Sequence, residues 1–422
     1  MWRTRYSIHA FALHDEKHMT RASSPIALIG LAIYLLLTFM RYEVIGASLI
    51  SMATWGAMLL VDPFSAGEKW QFELVEYWIA AVIWVAGGLH LVRSLVRRPN
   101  GRQRLRTAEA LLIGIGFAAL TAPFVAPVSP VVQGDLLTTR LLPPVSFGIC
   151  ITTTEPLDTL HSGGWIADAF AASSRILVHR SEKVFARADG SSLHGEGHSI
   201  ARPIVFLFGT DDSGRDVFSR VIFGARVSMA IGLAAALGSV LIGASMGFAA
   251  GLGGRVLDTI LMRFTDLMLS IPSLFLVVGA LAFLPSSLVT VILMLAWTGW
   301  MGIARLVRAE VLRLREQEFV LAARLLGHSS LRILFRHIVP HVKDLLLTAA
   351  MLQFAGAVLA EASLSFLGLG VQPPTPSWGN LLGQALAYIR NGWWLSIFPG
   401  GVLAAVLIAL FHVAERRTGA SL

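Results

Sequence analysis

Read for its apolar and polar positions, the chain alternates long apolar runs with short polar connections that carry arginine. A helix that crosses a bilayer needs roughly 20 mostly apolar residues, and such runs fall at 108–126, 229–252, 267–284, 287–304, 345–368 and 394–411. Three shorter runs, 25–40, 44–61 and 77–92, precede them. The pattern predicts an all-α, polytopic membrane protein with a six-helix core and about three extra N-terminal hydrophobic helices. One polar-faced stretch stands apart, EFVLAARLLGHSSLRILFRHIVP at 318–340. Gly327 ends its first helix, because glycine accepts the left-handed conformation just past a C-terminus. Ser329 and Ser330 are N-cap residues for a second short helix from Leu331, and Pro340 closes the pattern. The predicted product is helix, sharp turn, helix. It presents Arg324, Arg332 and Arg336, and the small pair Ala322 and Ala323 lets another surface approach closely.

Composition fixes the class. A length of 422 residues would permit two or three soluble domains, but 55% of them are hydrophobic and 14% charged, which excludes that reading. The net charge of +8 is mostly arginine. It is placed in clusters at Arg97, Arg98, Arg102, Arg104 and Arg106, then at Arg305, Arg308, Arg313 and Arg315 with the loop arginines, and finally at Arg416 and Arg417. Cytoplasmic loops carry the Lys/Arg excess, so all three clusters and the C-terminus belong inside, and six crossings connect them consistently. Because the arginines flank spans instead of forming one patch, nucleic acid is not an expected partner. Three extra crossings would put the N-terminus outside, against Arg3, Arg5 and Arg21, so one early run is expected to lie in the interface or fail to span. Cys150 is the sole cysteine, which leaves no intrachain disulfide; it reads as a buried small residue in an outward loop. No cleavable secretory signal is expected.

Candidate chemistry is sparse. There is no Gly-Lys dipeptide, hence no GxxxxGK[ST] phosphate loop, and HExxH does not occur. His161, His179, His194 and His198 sit in a Ser/Gly/His-rich insertion at 146–203. Their irregular spacing, without a cysteine or carboxylate cluster, reads as solvated loop histidines and not a metal site. Glu361 lies within the run 345–368, roughly 24 Å from its inner end. An ionisable residue at that depth is a functional candidate, with a carboxylate hydrogen-bonded to a neighbouring helix as the plain alternative. In GGRVLDTILMRFTD, Arg255, Asp258, Arg263 and Asp266 stand at i,i+3 spacings that predict ion pairs along one helix. In FGTDDSGRDVFSRVIFGAR at 208–226, Thr210, Asp211 and Asp212 are expected to cap a helix start. Val217, Phe218, Val221 and Ile222 share a face there, which predicts a helix lying flat on the outer membrane surface. In SFLGLGVQPPTPSWGNLL at 365–382, Pro373, Pro374 and Pro376 stiffen an extended stretch and Trp378 is expected to anchor at the interface.

Spacing adds a resemblance. Ala322-Ala323, Gly327 four residues later and Pro340 thirteen beyond the glycine resemble the EAA signature of ABC importer permeases. The whole run FVLAARLLG…RILFRHIVP resembles the C-type permease of the dipeptide, oligopeptide and nickel importers. Leu321 stands where that family often has glutamate, and His337 fills an isoleucine position. The prolines of ALTAPFVAPVSP, LLPP at 141–144, the motif Gly209, Thr210, Asp211, Gly214, Arg215 and Asp216, and the stretch 365–382 resemble the same family. Phe206 replaces a usual histidine three residues before Gly209. The likeness starts at residue 108 and runs to the end apart from 146–203; nothing in 1–96 matches.

The resemblance implies a type I ABC importer permease core in a bacterial cytoplasmic (inner) membrane. It also implies an organisation: an accessory hydrophobic region at 1–96, a first core helix at 97–133, an external loop with the insertion at 134–207, and the permease core at 208–422 with a cytoplasmic coupling loop at 305–344. Implied partners are a homologous second permease, two ABC ATPase subunits that bind ATP and Mg, and an external substrate-binding protein, with no cofactor bound by this chain. By the same likeness Ala322, Ala323, Arg324, Gly327, Arg336 and Pro340 couple to the ATPase, while Glu361 and Trp378 belong to the pathway or its outer gate. The solutes implied are di- and oligopeptides or similar small molecules. Two alternatives are an ion-coupled secondary transporter, which Glu361 alone would support, and a non-transporting membrane scaffold; neither accounts for the loop.

Overall fold

A computed structural model describes residues 25–61, 72–96, 107–154 apart from 135 and 137, 180–185, and 198–417 apart from 286. The chain forms two units, Met1–Arg104 with Leu157–Arg180, and Leu105–Pro156 with Ser181–Leu422.

In the first unit α1 (Pro25–Met40) and α2 (Tyr42–Val61) meet at a bend of 78°, and α3 (Phe72–Val96) packs against both. Helices at that angle cannot both stand along one membrane normal, so α1 and α2 are not two parallel crossings. Buried indoles need acceptors for their N–H groups, and hydroxyls of the earlier helices supply them. Trp84 Nε1 donates to Thr38 Oγ1 at 3.1 Å, Trp78 Nε1 donates to Ser51 Oγ at 3.3 Å, and Tyr34 stacks on Trp84 with centroids 4.8 Å apart. Leu36, Phe39, Ile79 and Leu89 face outward, as on helices surrounded by lipid.

The second unit opens with α4 (Thr107–Leu120) and the single turn α5 (Ala122–Val125). The segment expected to be an irregular loop instead contains a sheet of β1 (Ser146–Thr154), β2 (Arg180–Phe185) and β3 (His198–Phe206) in the order β2-β1-β3. β1 runs antiparallel to β3, from Ser146 opposite Phe206 to Thr154 opposite His198. Alternation explains it: Cys150, Ile204 and Phe206 point inward onto Val128, while Phe147 and Val205 face out. Cys150 is thus a buried strand residue. His161, His179 and His194 lie outside the described residues, as does the arginine cluster at 97–106.

The core begins with α6 (Val217–Leu252), a helix of 36 residues and about 54 Å. The expected flat surface helix is therefore not a separate element but the first turns of this rod. Its neighbour α9 (Leu288–Arg315) lies unusually close. A Cβ on Gly243 would come within 2.6 Å of the Trp300 carbonyl oxygen, and one on Gly247 within 2.7 Å of that of Ala304. Ser239 Oγ donates to the Ala296 carbonyl at 3.1 Å along the same seam. Such close packing replaces the hydrophobic drive that lipid cannot supply.

Between them α7 (Gly254–Leu269) and α8 (Ser273–Leu281) are bent by 76°. The expected span at 267–284 is thus broken. Pro272 lacks an N–H and its ring would strike the carbonyl four residues back, and nine residues of α8 are too short to cross. The aspartates of α7 pair across to α9 and not along their own helix. Asp258 takes Arg308 in a two-pronged contact, its second prong 2.6 Å long, and Asp266 takes Arg305 at 2.5 Å. The chain continues through α10 (Glu318–Leu325), α11 (Ser330–Ile333), a π-turn (Leu334–Ile338), α12 (Val339–Phe366), α13 (Trp378–Ala385) and α14 (Trp394–Arg417).

Candidate functional site

The two motif regions lie at opposite ends of α6. At one end α10 and α11 form the hairpin. Gly327 has φ +78°, its N–H donates to the Arg324 carbonyl at 2.9 Å, and the His328 N–H reaches back to that of Ala323 at 3.2 Å. This pair of bonds closes the helix end and needs a left-handed residue between them. Ser329 stands at the next N-cap, although its side chain makes no capping bond. Pro340 does not end the second helix, as its place in the sequence suggested. Ser330–Phe366 is continuous, because the π-turn closes with the Val339 N–H on the Leu334 carbonyl. The extra residue in that turn shifts the carbonyl a proline ring would otherwise strike.

The hairpin has a buried base and an exposed tip. Val320, Ala323, Ile333, Leu334 and Ile338 pack on Val307, Val311 and Leu314 of α9. Ala323 is therefore a core residue, and only Ala322 of the small pair faces outward. The tip carries Arg324 and Arg336 together with apolar groups the sequence reading passed over: Leu325 is 91% exposed, Leu326 77%, Leu331 67% and Phe335 69%. An adjacent apolar patch of this kind marks a contact surface. The i,i+4 spacing of Leu331 and Phe335 was the available signal.

At the other end, Gly209-Thr210-Asp211-Asp212-Ser213-Gly214-Arg215-Asp216 folds into a turn around one carboxylate. Asp211 Oδ1 accepts the N–H groups of Ser213 and Arg215, each at 2.9 Å. Its Oδ2 accepts Arg215 Nε at 2.7 Å and Arg220 Nη1. Gly209 and Gly214 take φ +75° and +70° within the turn. Thr210 ties it down: the Leu142 N–H donates to Thr210 Oγ1 at 2.7 Å and Trp394 Nε1 to its carbonyl at 3.1 Å. The helix cap is Asp216, which accepts the Ser219 N–H at 2.8 Å, and not the Thr210–Asp212 group, whose side chains are engaged elsewhere. Burial pushes the Asp216 carboxyl up to about 6, against the pull of the Ser219 hydrogen bonds.

Trp378 is fully buried, not an interface anchor. Its Nε1 donates to the Val221 carbonyl at 3.1 Å and its N–H to Ser228 Oγ at 3.2 Å. Glu361 is likewise completely enclosed; Ser365 Oγ donates to its Oε1 at 2.7 Å. The Ser228 and Ser377 hydroxyls lie close to the same carboxyl, though no hydrogen bond of normal geometry reaches Oε2. Glu361 and Trp378 thus share a polar knot where α12, α13 and α6 meet.

With this arrangement in place, comparison with known proteins is decisive. Residues 219–418 match the family described as binding-protein-dependent transport system inner membrane component. The oligopeptide transport system permease protein OppC of Bacillus subtilis (strain 168) is 42% identical over 208 residues, 49% of this chain and 68% of that protein. The chain belongs to this permease family. It is a transmembrane permease subunit of an ABC importer, a multi-pass membrane protein of mostly α fold. The dipeptide transport system permease protein DppC of Alkalihalophilus pseudofirmus is 39% identical over a similar share, 49% of this chain and 68% of its own length. A solved inward-facing structure of the MetNI methionine ABC transporter is similar at TM-score 0.40 and 18% identity, over 47% of the permease and 94% of that chain. The family assignment does not rest on it.

The permease's predicted residues separate into two sets. Ala322, Arg324, Gly327, Arg336 and Pro340 are exposed together on the hairpin, with Ala323 beneath them. Thr210, Asp211, Arg215, Asp216, Glu361 and Trp378 are buried near the start of α6. Arg220 and Gln384, which join that second set, were not legible as site residues, because their contact spans 164 positions of sequence.

Proposed function

We propose that this permease moves di- or oligopeptides, or similar small solutes, through a pathway it shares with a homologous second permease. Two ATPase subunits holding ATP and Mg drive it, and an external substrate-binding protein delivers the solute. The relatives named for oligopeptide and dipeptide transport support the solute class. The observation that carries the coupling role is the hairpin's apolar tip, Leu325, Leu326, Leu331 and Phe335, exposed on a base with a packed core. Such a tip inserts into a partner's groove while the base transmits the push to α9 and α12 without deforming. In this reading Ala322 and Gly327 let the partner approach, Arg324 and Arg336 pair with it, and Pro340 with its π-turn sets the angle between tip and span. The hairpin and the C-terminus face the cytoplasm of a bacterial cell. Glu361 and Trp378 act at the outer gate by holding α13 in place, not by meeting solute.

Co-purification tests this. The permease expressed with its ATPases should retain them and take up a labelled dipeptide in the presence of its binding protein; Leu325→Asp should lose both. Labelling that reaches cysteines placed at Arg324 and Arg336 only from outside intact cells would overturn the reading.

A further inference from the structure

The rod α6 runs unbroken from the Asp211 turn to the hairpin's neighbourhood, and its seam with α9 is too tight for either helix to slide alone. Since α9 also carries Val307, Val311 and Leu314 beneath the hairpin, a displacement there reaches the far end of α6 as a rigid movement. We propose that Arg220 is the positioning residue that makes α13 follow that movement, fastening the far end of the permease to the stroke applied at the hairpin. The inference deepens the importer reading and rests on it.

Arg220 sits one turn into α6 and is 1% exposed. Its Nη1 is shared between the Asp211 carboxylate and Gln384 Oε1, the latter at 3.0 Å on the last turn of α13. Removing an ion pair from water costs about as much as the pair returns, so a buried pair is a poor source of stability, and apolar side chains of similar volume do as well. The pair therefore points to placement. Asp211, held by two backbone N–H groups and Arg215, is a fixed socket. Arg220 plugs into it and projects its remaining capacity at α13. Its Nε is buried with no hydrogen-bond partner within the chain, beside a small cleft that Asp211, Asp212, Gln384 and Tyr388 help to line.

The other end of α13 is pinned to the same rod, by Trp378 on Val221 and Ser228. Just beyond α13, Tyr388 OH donates to Asp212 Oδ2 at 3.3 Å. Held at both ends on α6, α13 is carried with it. The contact through Arg220 is the one that runs through a buried charge, and Gln384 is its half-buried, replaceable partner.

The test uses the assembled importer, with its ATPases and binding protein, in proteoliposomes, and reads labelled dipeptide moved per ATP hydrolysed. Gln384→Leu keeps the volume and removes the acceptor; it should leave assembly and ATP hydrolysis intact while lowering dipeptide moved per ATP by about tenfold to a hundredfold, the weight of one hydrogen bond to a charged donor. Gln384→Glu gives Arg220 a second carboxylate; it should slow uptake and hydrolysis together and keep their ratio. A contact that only stabilises the fold would lower assembly or thermal stability and leave the ratio alone in both variants. An unchanged ratio in Gln384→Leu overturns the inference while the importer reading stands. Should the unmodified complex neither hold its ATPases nor move dipeptide, the importer reading fails and takes this inference with it.

Discussion

The two ends of α6 are built on opposite plans. At the hairpin the apolar groups that matter stand exposed among arginines: Leu325 and Leu326 have little cover within the chain. At the Asp211 turn nearly everything is enclosed, and each oxygen of one carboxylate takes two donors. The difference teaches where each region's stability comes from. Exposed leucines on a rigid base contribute little to this chain and gain their free energy only from a partner. An enclosed charge network takes its partners from within the chain, so damage there is felt in the fold first.

That contrast can be broken from either side. The largest effect is expected for Asp211→Ala, which strips the acceptor from two arginines and two backbone N–H groups at once. Leaving buried charges without a partner costs about 3–5 kcal/mol, and thermal unfolding of the purified permease should shift downward accordingly. Phe335→Ser should do the reverse. The chain's own stability should stay within about 0.5 kcal/mol, as for ordinary surface positions. ATPase association should weaken by about 2 kcal/mol, the loss of one anchoring aromatic, or roughly thirtyfold in a titration of labelled ATPase. A fold that suffers from Phe335→Ser, or survives Asp211→Ala unchanged, removes the distinction.

The apolar runs made the helices legible, and Gly327, Ala322 and Ala323 made the hairpin so, because those signals are local. What escaped was set by contacts distant in sequence. Ala323 reads as half of an exposed small pair until Val307 and Val311 are brought under it. Trp378 looks like an interface residue until the Val221 carbonyl accepts its N–H across 157 positions. Asp258 has an arginine three residues away on its own helix, yet meets Arg308, fifty positions on, because α7 lies against α9. Pro340 is read as a stop because a sequence does not display the widened turn that absorbs it. The sheet at 146–206 was masked by its serines, glycines and histidines, although β1 and β3 each alternate by strand period.

A smaller effect sharpens the enclosed end. Burial raises the Asp216 carboxyl to about 6, above its usual value of about 3.9 in an unfolded chain. The folded state therefore keeps a proton that the unfolded state has given up. The sign follows: the contribution is fully present below about pH 4 and is lost as pH rises through about 6, a change of about 3 kcal/mol. Asp216→Asn keeps an N-cap acceptor and should remove this part of the pH profile, so the variant's melting temperature should gain on the parent's between pH 4 and 6. Parallel profiles would show that Asp216 titrates alike in both states.

The smallest effect asks what the exposed end needs from Gly327. Its φ of +78° is the left-handed region, and a Cβ placed there meets open space, with no atom within 4 Å. Gly327→Ala should therefore cost only the conformational penalty, about 1 kcal/mol, visible as a slightly lower melting temperature. Gly327→Asn should recover most of it, since asparagine tolerates that backbone better. The pair separates two roles that the hairpin geometry leaves superimposed. If asparagine restores ATPase binding along with stability, glycine serves the turn alone, and the tip's leucines and Phe335 do the docking. If stability returns while binding stays lost, the partner's surface comes close enough to the backbone at 327 to exclude any side chain.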